Sequence, residues 1–351
     1  MAETYTVTVE PLGSDIECRA DQPILDACLR AGIWLPHACT HGTCGTCKAE
    51  ILDGDVDYGD ASSFALMDFE RDEGKALLCC ATPRSDVTIE GDVEIEDGVT
   101  MHPVGDYVGT VIELSDCATD TRRLVLQLDR ELLFNPGQYV SLEVPDTGQT
   151  RTYSMANTPA ETDRVELHIR RTPGGLATDG WVFKSLTAGS KISLSGPFGR
   201  FFFRPARSEP MIMIAGGTGL APIKSIVTHA LAETDQRILL YVGGRTPQHL
   251  YDVEHFRQLE AQHPDRLIYR PCLSEDTVDG FATGMVTDVL DAELETAARH
   301  VAYVCGPPPM VDAAVKMLMR KRLFPRDIFR EDFFDASDKA TGGVRSPLLK
   351  R

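Results

Sequence analysis

The sequence predicts a multidomain chain of three architectures in succession. These are a small α+β domain over residues 1–98, an antiparallel β-barrel over 105–205 and a doubly wound α/β domain over 209–337. Three observations predict it. Near the N-terminus, cysteines are spaced Cys39-x4-Cys44-x2-Cys47, with Cys79 following after 31 intervening residues. The middle of the chain repeats short β-rich runs separated by turns. After Glu209, continuous apolar runs alternate with helical stretches, as buried parallel strands joined by helices do.

In the first domain, residues 4–10 alternate and are β-rich, so they read as a strand, and a Pro-Leu-Gly turn leads to a second over 15–19. Residues 23–32 read as a helix, with Asp21 near its start and Gly32 at its end. The cysteine loop follows. Lys48 to Leu52 reads as a strand leaving it and Val87 to Ile95 as another. The cysteine spacing is that of a plant-type [2Fe–2S] cluster, and Gly42 and Gly45 let the backbone wrap closely around a small inorganic core. A structural zinc site also uses Cys-x2-Cys pairs, but a four-residue gap of Gly and Thr is unusual for one. A Rieske centre would need a second histidine beyond His41, and a c-type haem would need histidine where Lys48 stands. Residues 96–104 are short and polar and contain Gly and Pro, so they read as a linker.

Five β-rich runs, at 109–114, 123–128, 139–144, 164–169 and 191–195, suggest the barrel. Arg151-Thr152-Tyr153-Ser154 closes one strand. An arginine there can pair with a phosphate and a tyrosine ring can lie against a flat cofactor. Further on, Gly174-Gly175 followed by Thr178 offers backbone N–H groups at a helix start, suited to a pyrophosphate. Each alone reads equally well as an ordinary turn; their order within one β-rich domain strengthens the pair.

In the last domain, the apolar run 210–215 feeds Gly216-Gly217-Thr218-Gly219 and then a helix. That is the context for dinucleotide phosphates at a helix N-terminus, although it is not G-x-G-x-x-G and could be a structural turn. Runs at 237–242, 266–269 and 300–305 supply further strands. Cys305-Gly306 ends the last of these, at the edge of the sheet where ligands sit; a buried structural cysteine is the plainer alternative.

The net charge is −18, and residues 1–98 hold 21 Asp+Glu against 6 Lys+Arg. That places −15 on the cluster domain and −3 on the rest, which serves solubility or steering toward a basic redox partner. Nucleic acid is disfavoured as a partner. There is no apolar run of about 18 residues, so no membrane span is expected. The N-terminus lacks a signal-peptide pattern, and the scattered cysteines suggest a reducing, cytoplasmic setting.

Arg-x-Tyr-Ser, Gly-Gly-x-x-Thr, Gly-Gly-Thr-Gly-x-Ala-Pro and Cys-Gly-Pro-Pro stand here in the order of the ferredoxin–NADP reductase superfamily. The chain resembles that superfamily with an N-terminal plant-type ferredoxin of β-grasp form. The resemblance implies that Arg151, Thr152, Tyr153 and Ser154 contact FAD, with Ser154 near its reactive edge. It implies that Gly174, Gly175 and Thr178 take the FAD pyrophosphate. Gly216, Gly217, Thr218 and Gly219 would receive NADH, with Cys305 and Gly306 near the nicotinamide. Cys39, Cys44, Cys47 and Cys79 would be the cluster ligands. Many relatives have Gln after the fourth ligand, whereas this chain has Cys80, which could compete.

Residues 64–73, 78–86 and 323–334 resemble the reductases of soluble di-iron hydroxylases, the phenol hydroxylase and propane 2-monooxygenase group, with the propane type nearest. The implied role is to pass electrons from NADH through FAD and the cluster to a di-iron hydroxylase, with a small coupling protein as a further partner. The alternatives are reductases of phenol hydroxylase or of a Rieske-type aromatic dioxygenase, and an electron-carrying module with degenerate nucleotide sites. No protein acid or base is required for hydride transfer itself; the hydride site is expected near Ser154 and Cys305.

Overall fold

The structure is a computed structural model and describes residues 3–37, 40, 42–93 and 96–333. The chain forms two compact units, Met1–Gly105 and Asp106–Arg351. Cys39, His41 and the C-terminal tail lie outside the described residues, and the strand expected over Val87 to Ile95 ends at Glu90, with residues 91–93 in no strand.

In the first unit five strands lie in the spatial order Ser14–Arg19, Thr4–Glu10, Val87–Glu90, Lys48–Asp53 and Lys75–Leu77. Thr4–Glu10 and Val87–Glu90 pair in parallel at the centre, and the other pairs are antiparallel. Helix Ile24–Arg30 buries Ile24, Leu25, Ala27, Cys28 and Leu29. The segment read as a linker is tied to this unit. Trp34 Nε1 donates to His102 O at 3.1 Å and Val104 N to Leu29 O at 3.1 Å. Its polar composition concealed these bonds, because they use backbone atoms.

In the second unit six strands follow the order Gln149–Ser154, Tyr139–Val144, Lys191–Phe198, Gly105–Ala118, Thr121–Leu128 and Arg164–Arg170. The two outer strands meet through a Met155–Leu167 bridge and an Ala156 N to Glu166 O bond of 2.8 Å, so the sheet closes as a barrel. A six-stranded parallel sheet follows, ordered Ala282–Thr283, Leu267–Leu273, Ile238–Gly244, Met211–Gly216, Val301–Gly306 and Ile328–Asp332. Every residue of Met211–Gly216 and of Val301–Gly306 is buried, as their unbroken apolar runs require. Strand order reverses between these two strands. The crevice at their C-terminal ends is therefore the topological switch point, where open α/β sheets bind ligands.

Barrel and sheet pack as one unit through shared side chains. Phe201 and Phe203, just beyond the last barrel strand, enter the core of the parallel sheet. Arg204 lies between the rings of Phe202 and Phe329, 4.0 Å from each centroid.

Candidate functional site

In the first unit the cysteine loop is shaped by glycine. Gly42 has φ +77 and Gly45 φ +73, conformations that side-chain-bearing residues rarely adopt. A Cβ on Gly42 would stand 2.6 Å from Cys80 Sγ and 3.2 Å from Asp60 O. The Gly42 amide donates to Cys79 Sγ at 3.3 Å, and Cys44 Sγ lies 3.3 Å from Thr46 Oγ1. Cys47 and Cys79 are buried, while Cys44 and Cys80 are partly exposed. Cys80 Sγ lies 3.8 Å from Cys79 Sγ, so the two are spatial as well as sequence neighbours. An amide aimed at a sulfur is what an iron–sulfur cradle uses to stabilise thiolate charge. The residues present therefore fit a [2Fe–2S] cluster.

In the second unit Arg151 and Thr152 are exposed near the end of a barrel strand. The Arg151 guanidinium donates to Thr150 O at 2.7 Å and Gln149 Oε1 at 2.8 Å. Tyr153 packs against the barrel core, and burial pushes its hydroxyl up to about 12. Ser154 is buried and its Oγ donates to Glu331 Oε2 at 3.4 Å.

The Gly174 turn has φ +70 and faces open space. Its amide donates to Asp179 Oδ2 at 3.0 Å, and Asp179 also pairs with Arg171 at 2.7 Å. A phosphate bound at this amide would have to displace that carboxylate toward Arg171. The Thr178 hydroxyl accepts from Thr172 N at 3.0 Å and holds the loop closed. The helical stretch expected after the glycines is a single five-residue π-turn, Thr178–Val182.

At the switch point, Gly217 has φ +55 and faces open space, whereas Gly219 is pressed against the neighbouring strand end. A Cβ on Gly219 would lie 2.3 Å from Cys305 O, and one on Gly306 would lie 2.9 Å from Gly216 O. Gly217–Gly219 form one tight turn that opens directly into helix Leu220–Glu233, leaving N–H groups at the helix N-terminus. Cys305 is fully buried, and burial together with Glu331 and Asp332 holds its thiol well above its ordinary range.

Glu331 is the residue that sequence reasoning missed. It stands opposite Cys305 in the parallel pairing of Val301–Gly306 with Ile328–Asp332, and burial pushes its carboxyl up to about 8. Nothing in spacing singles it out; its place follows from strand pairing. The switch point thus gathers Ser154 from the barrel with Cys305 and Glu331 from the sheet.

These sites define a class, oxidoreductases that join a flavin, a nicotinamide nucleotide and an iron–sulfur cluster in one chain. The model of 2Fe-2S iron-sulfur cluster binding domains matches residues 7–84. The oxidoreductase FAD-binding domain matches 109–203 and the oxidoreductase NAD-binding domain 213–316. Phenol 2-monooxygenase reductase component DmpP from Pseudomonas sp. is 47% identical over 99% of both chains. The propane 2-monooxygenase reductase component of Rhodococcus jostii is 36% identical over 95% of this chain and 92% of that one. The crystal structure of Amycolatopsis cytochrome P-450 reductase GcoB is 42% identical with a TM-score of 0.86, covering 94% of this chain and 99% of that one. The chain belongs to the reductase components of multicomponent monooxygenases, within the ferredoxin–NADP reductase superfamily.

Proposed function

We propose that the chain is the NADH-dependent reductase component of a soluble di-iron monooxygenase of the phenol and propane type. When bound, NADH would supply a hydride, FAD would supply the conversion of that electron pair to single electrons, and the [2Fe–2S] cluster would supply one-electron transfer to the acceptor. Cys39, Cys44, Cys47 and Cys79 would hold the cluster, with the Gly42 amide supporting the Cys79 sulfur. Arg151, Thr152, Tyr153 and Ser154, with Gly174, Gly175 and Thr178, would hold FAD. Gly216, Gly217, Thr218 and Gly219, with Cys305 and Gly306, would hold the nucleotide.

The observation that carries the reading is the contact between Ser154 Oγ and Glu331 Oε2 beside Cys305. It brings the end of the flavin motif and the end of the nucleotide motif into one crevice. There, burial pushes the Glu331 carboxyl up to about 8 and holds the Cys305 thiol well above its ordinary range, so both groups favour their neutral forms.

The partners are a hydroxylase and a small coupling protein, and the acidic first domain suits a basic docking face. The setting is the cytoplasm, on cysteine usage; among the described residues no helix is long and apolar enough to cross a membrane. Higher identity to the phenol-type than to the propane-type reductase makes a phenol hydroxylase the first partner to test. The similarity to a cytochrome P-450 reductase supports a second reading, a haem oxygenase acceptor. Purified reductase mixed with each oxygenase, NADH and substrate should give coupled product with the di-iron hydroxylase; coupled product with the haem oxygenase alone would favour the second reading.

A further inference from the structure

Beneath the glycine turn at the switch point lies a set of side chains outside the flavin and nucleotide motifs. Tyr251, 5% exposed, donates its hydroxyl hydrogen to the Gly217 carbonyl at 3.3 Å. Its ring stands edge-on to His168, with centroids 4.9 Å apart and planes at 84°. His168 Nε2 lies 2.8 Å from Glu166 Oε1, and the same oxygen meets Lys224 Nζ at 2.9 Å and Arg123 Nε at 3.1 Å. Lys224 also reaches Asp252 Oδ2 at 2.9 Å, and Arg123 pairs with Asp252. Glu166, His168 and Asp252 lie close enough together to hold a cation. Lys224 and Arg123 already supply that positive charge between the carboxylates, so the cluster is an ion network.

The network joins two places with the same chemical task. His168 sits on strand Arg164–Arg170, which runs straight into the Gly174–Gly175 turn. Lys224 sits on the helix that begins at the Gly217–Gly219 turn, and Tyr251 holds that turn from below. Gly217 has φ +55 and no side chain to anchor it. Its peptide with Thr218 is planar and trans, so its C=O and the Thr218 N–H point in opposite directions. The Gly217 carbonyl accepts from the Leu220 N–H at the end of the turn and also from Tyr251; the two donors hold it inward, and the Thr218 N–H of the same peptide points the opposite way.

We infer that Tyr251 is a positioning residue for the nicotinamide nucleotide: through the Gly217 carbonyl it aims the Thr218 N–H at the nucleotide phosphates, with His168 and Glu166 fixing its ring. The inference rests on the reading that Gly217–Gly219 receive the nucleotide. The contact is made equally before and during hydride transfer, so its loss weakens binding without slowing the chemical step.

The test is Tyr251→Phe, which removes the hydroxyl and keeps the ring, in the FAD- and cluster-loaded protein. Loss of one neutral hydrogen bond should raise KM for NADH about fivefold in the ferricyanide assay. The dissociation constant of NAD+ should rise by the same factor, with kcat and FAD content unchanged and Tm lowered by no more than a few degrees, as the loss of one internal hydrogen bond requires. Hydrogen exchange with and without NAD+ checks the underlying reading, because the peptide carrying Thr218 and Gly219 should be protected in the wild type. Protection confined to another region overturns the assignment of the turn. Protection at the turn with KM in the variant within twofold of wild type, or with a fall in kcat at unchanged KM, overturns the role of Tyr251.

Discussion

Gly219→Ala is the most informative single change at the switch point. Gly219 has φ −60, so its backbone conformation suits alanine. The obstacle is space. A Cβ would lie 2.3 Å from Cys305 O, 2.5 Å from Cys305 C and 2.7 Å from Gly306 Cα. Ordinary contacts between heavy atoms are about 3.5 Å, so roughly 1 Å of separation must open. All three neighbours are backbone atoms of the adjoining strand end, so no side chain can swing aside. The displacement falls on Cys305 and on the pairing that sets Glu331 beside Ser154. A misplacement of about 1 Å in a reacting geometry is worth on the order of a hundredfold in rate, or about 2.7 kcal/mol of barrier. We expect kcat/KM for NADH in ferricyanide reduction to fall about a hundredfold, with flavin content and cluster absorbance retained. Gly217→Ala is the comparison, since it faces open space and meets only the left-handed conformation, about 1–2 kcal/mol. A Gly219→Ala protein that binds FAD and keeps kcat/KM within threefold of wild type would refute the reasoning.

Three further outcomes follow from the same geometry. Cys44→Ser, Cys47→Ser or Cys79→Ser should remove the iron–sulfur absorbance yet leave NADH-to-ferricyanide activity, while Cys80→Ser should keep the cluster; a clusterless Cys80→Ser protein beside a cluster-bearing Cys79→Ser protein would reverse the fourth ligand. The Glu331 carboxyl is raised from 4.5 to about 8 in the folded protein, so the folded state favours its protonated form and stability falls as pH rises between those values. Tm of the FAD-loaded protein measured from pH 5 to 9 should therefore fall less in Glu331→Gln than in wild type, and parallel curves would contradict this. NADH should exceed NADPH in kcat/KM, because Glu275 and Asp276 follow the neighbouring strand end and Arg245 is engaged with His249 at 2.8 Å; a ratio favouring NADPH would count against that site.

The sequence made the local devices legible and hid the assembled ones. Cluster ligation needs fixed cysteine spacing, so Cys44, Cys47 and Cys79 stand out in a string of letters. The unbroken apolar run at 211–215 similarly announces a strand covered on both faces. Glu331 carries no such mark, because it gains its role from lying across a strand pair from Cys305, 26 positions earlier in the chain. The network of Arg123, Glu166, His168, Lys224 and Asp252 draws on four separate segments, and each residue alone reads as surface charge. The Gly174 turn was legible as a turn, but its amide bond to Asp179 was not, since a carboxylate five residues on is equally able to face water.

The central claim is that electrons from NADH leave this chain through its iron–sulfur cluster to a di-iron hydroxylase. It is tested most directly by reducing the anaerobic holoprotein with NADH, mixing it with oxidised hydroxylase component and following the reduced-cluster EPR signal by freeze-quench. The account predicts that NADH alone builds up the signal and that the hydroxylase discharges it, with product appearing when oxygen and substrate are admitted. A signal that persists beside the hydroxylase while ferricyanide still discharges it would contradict the account.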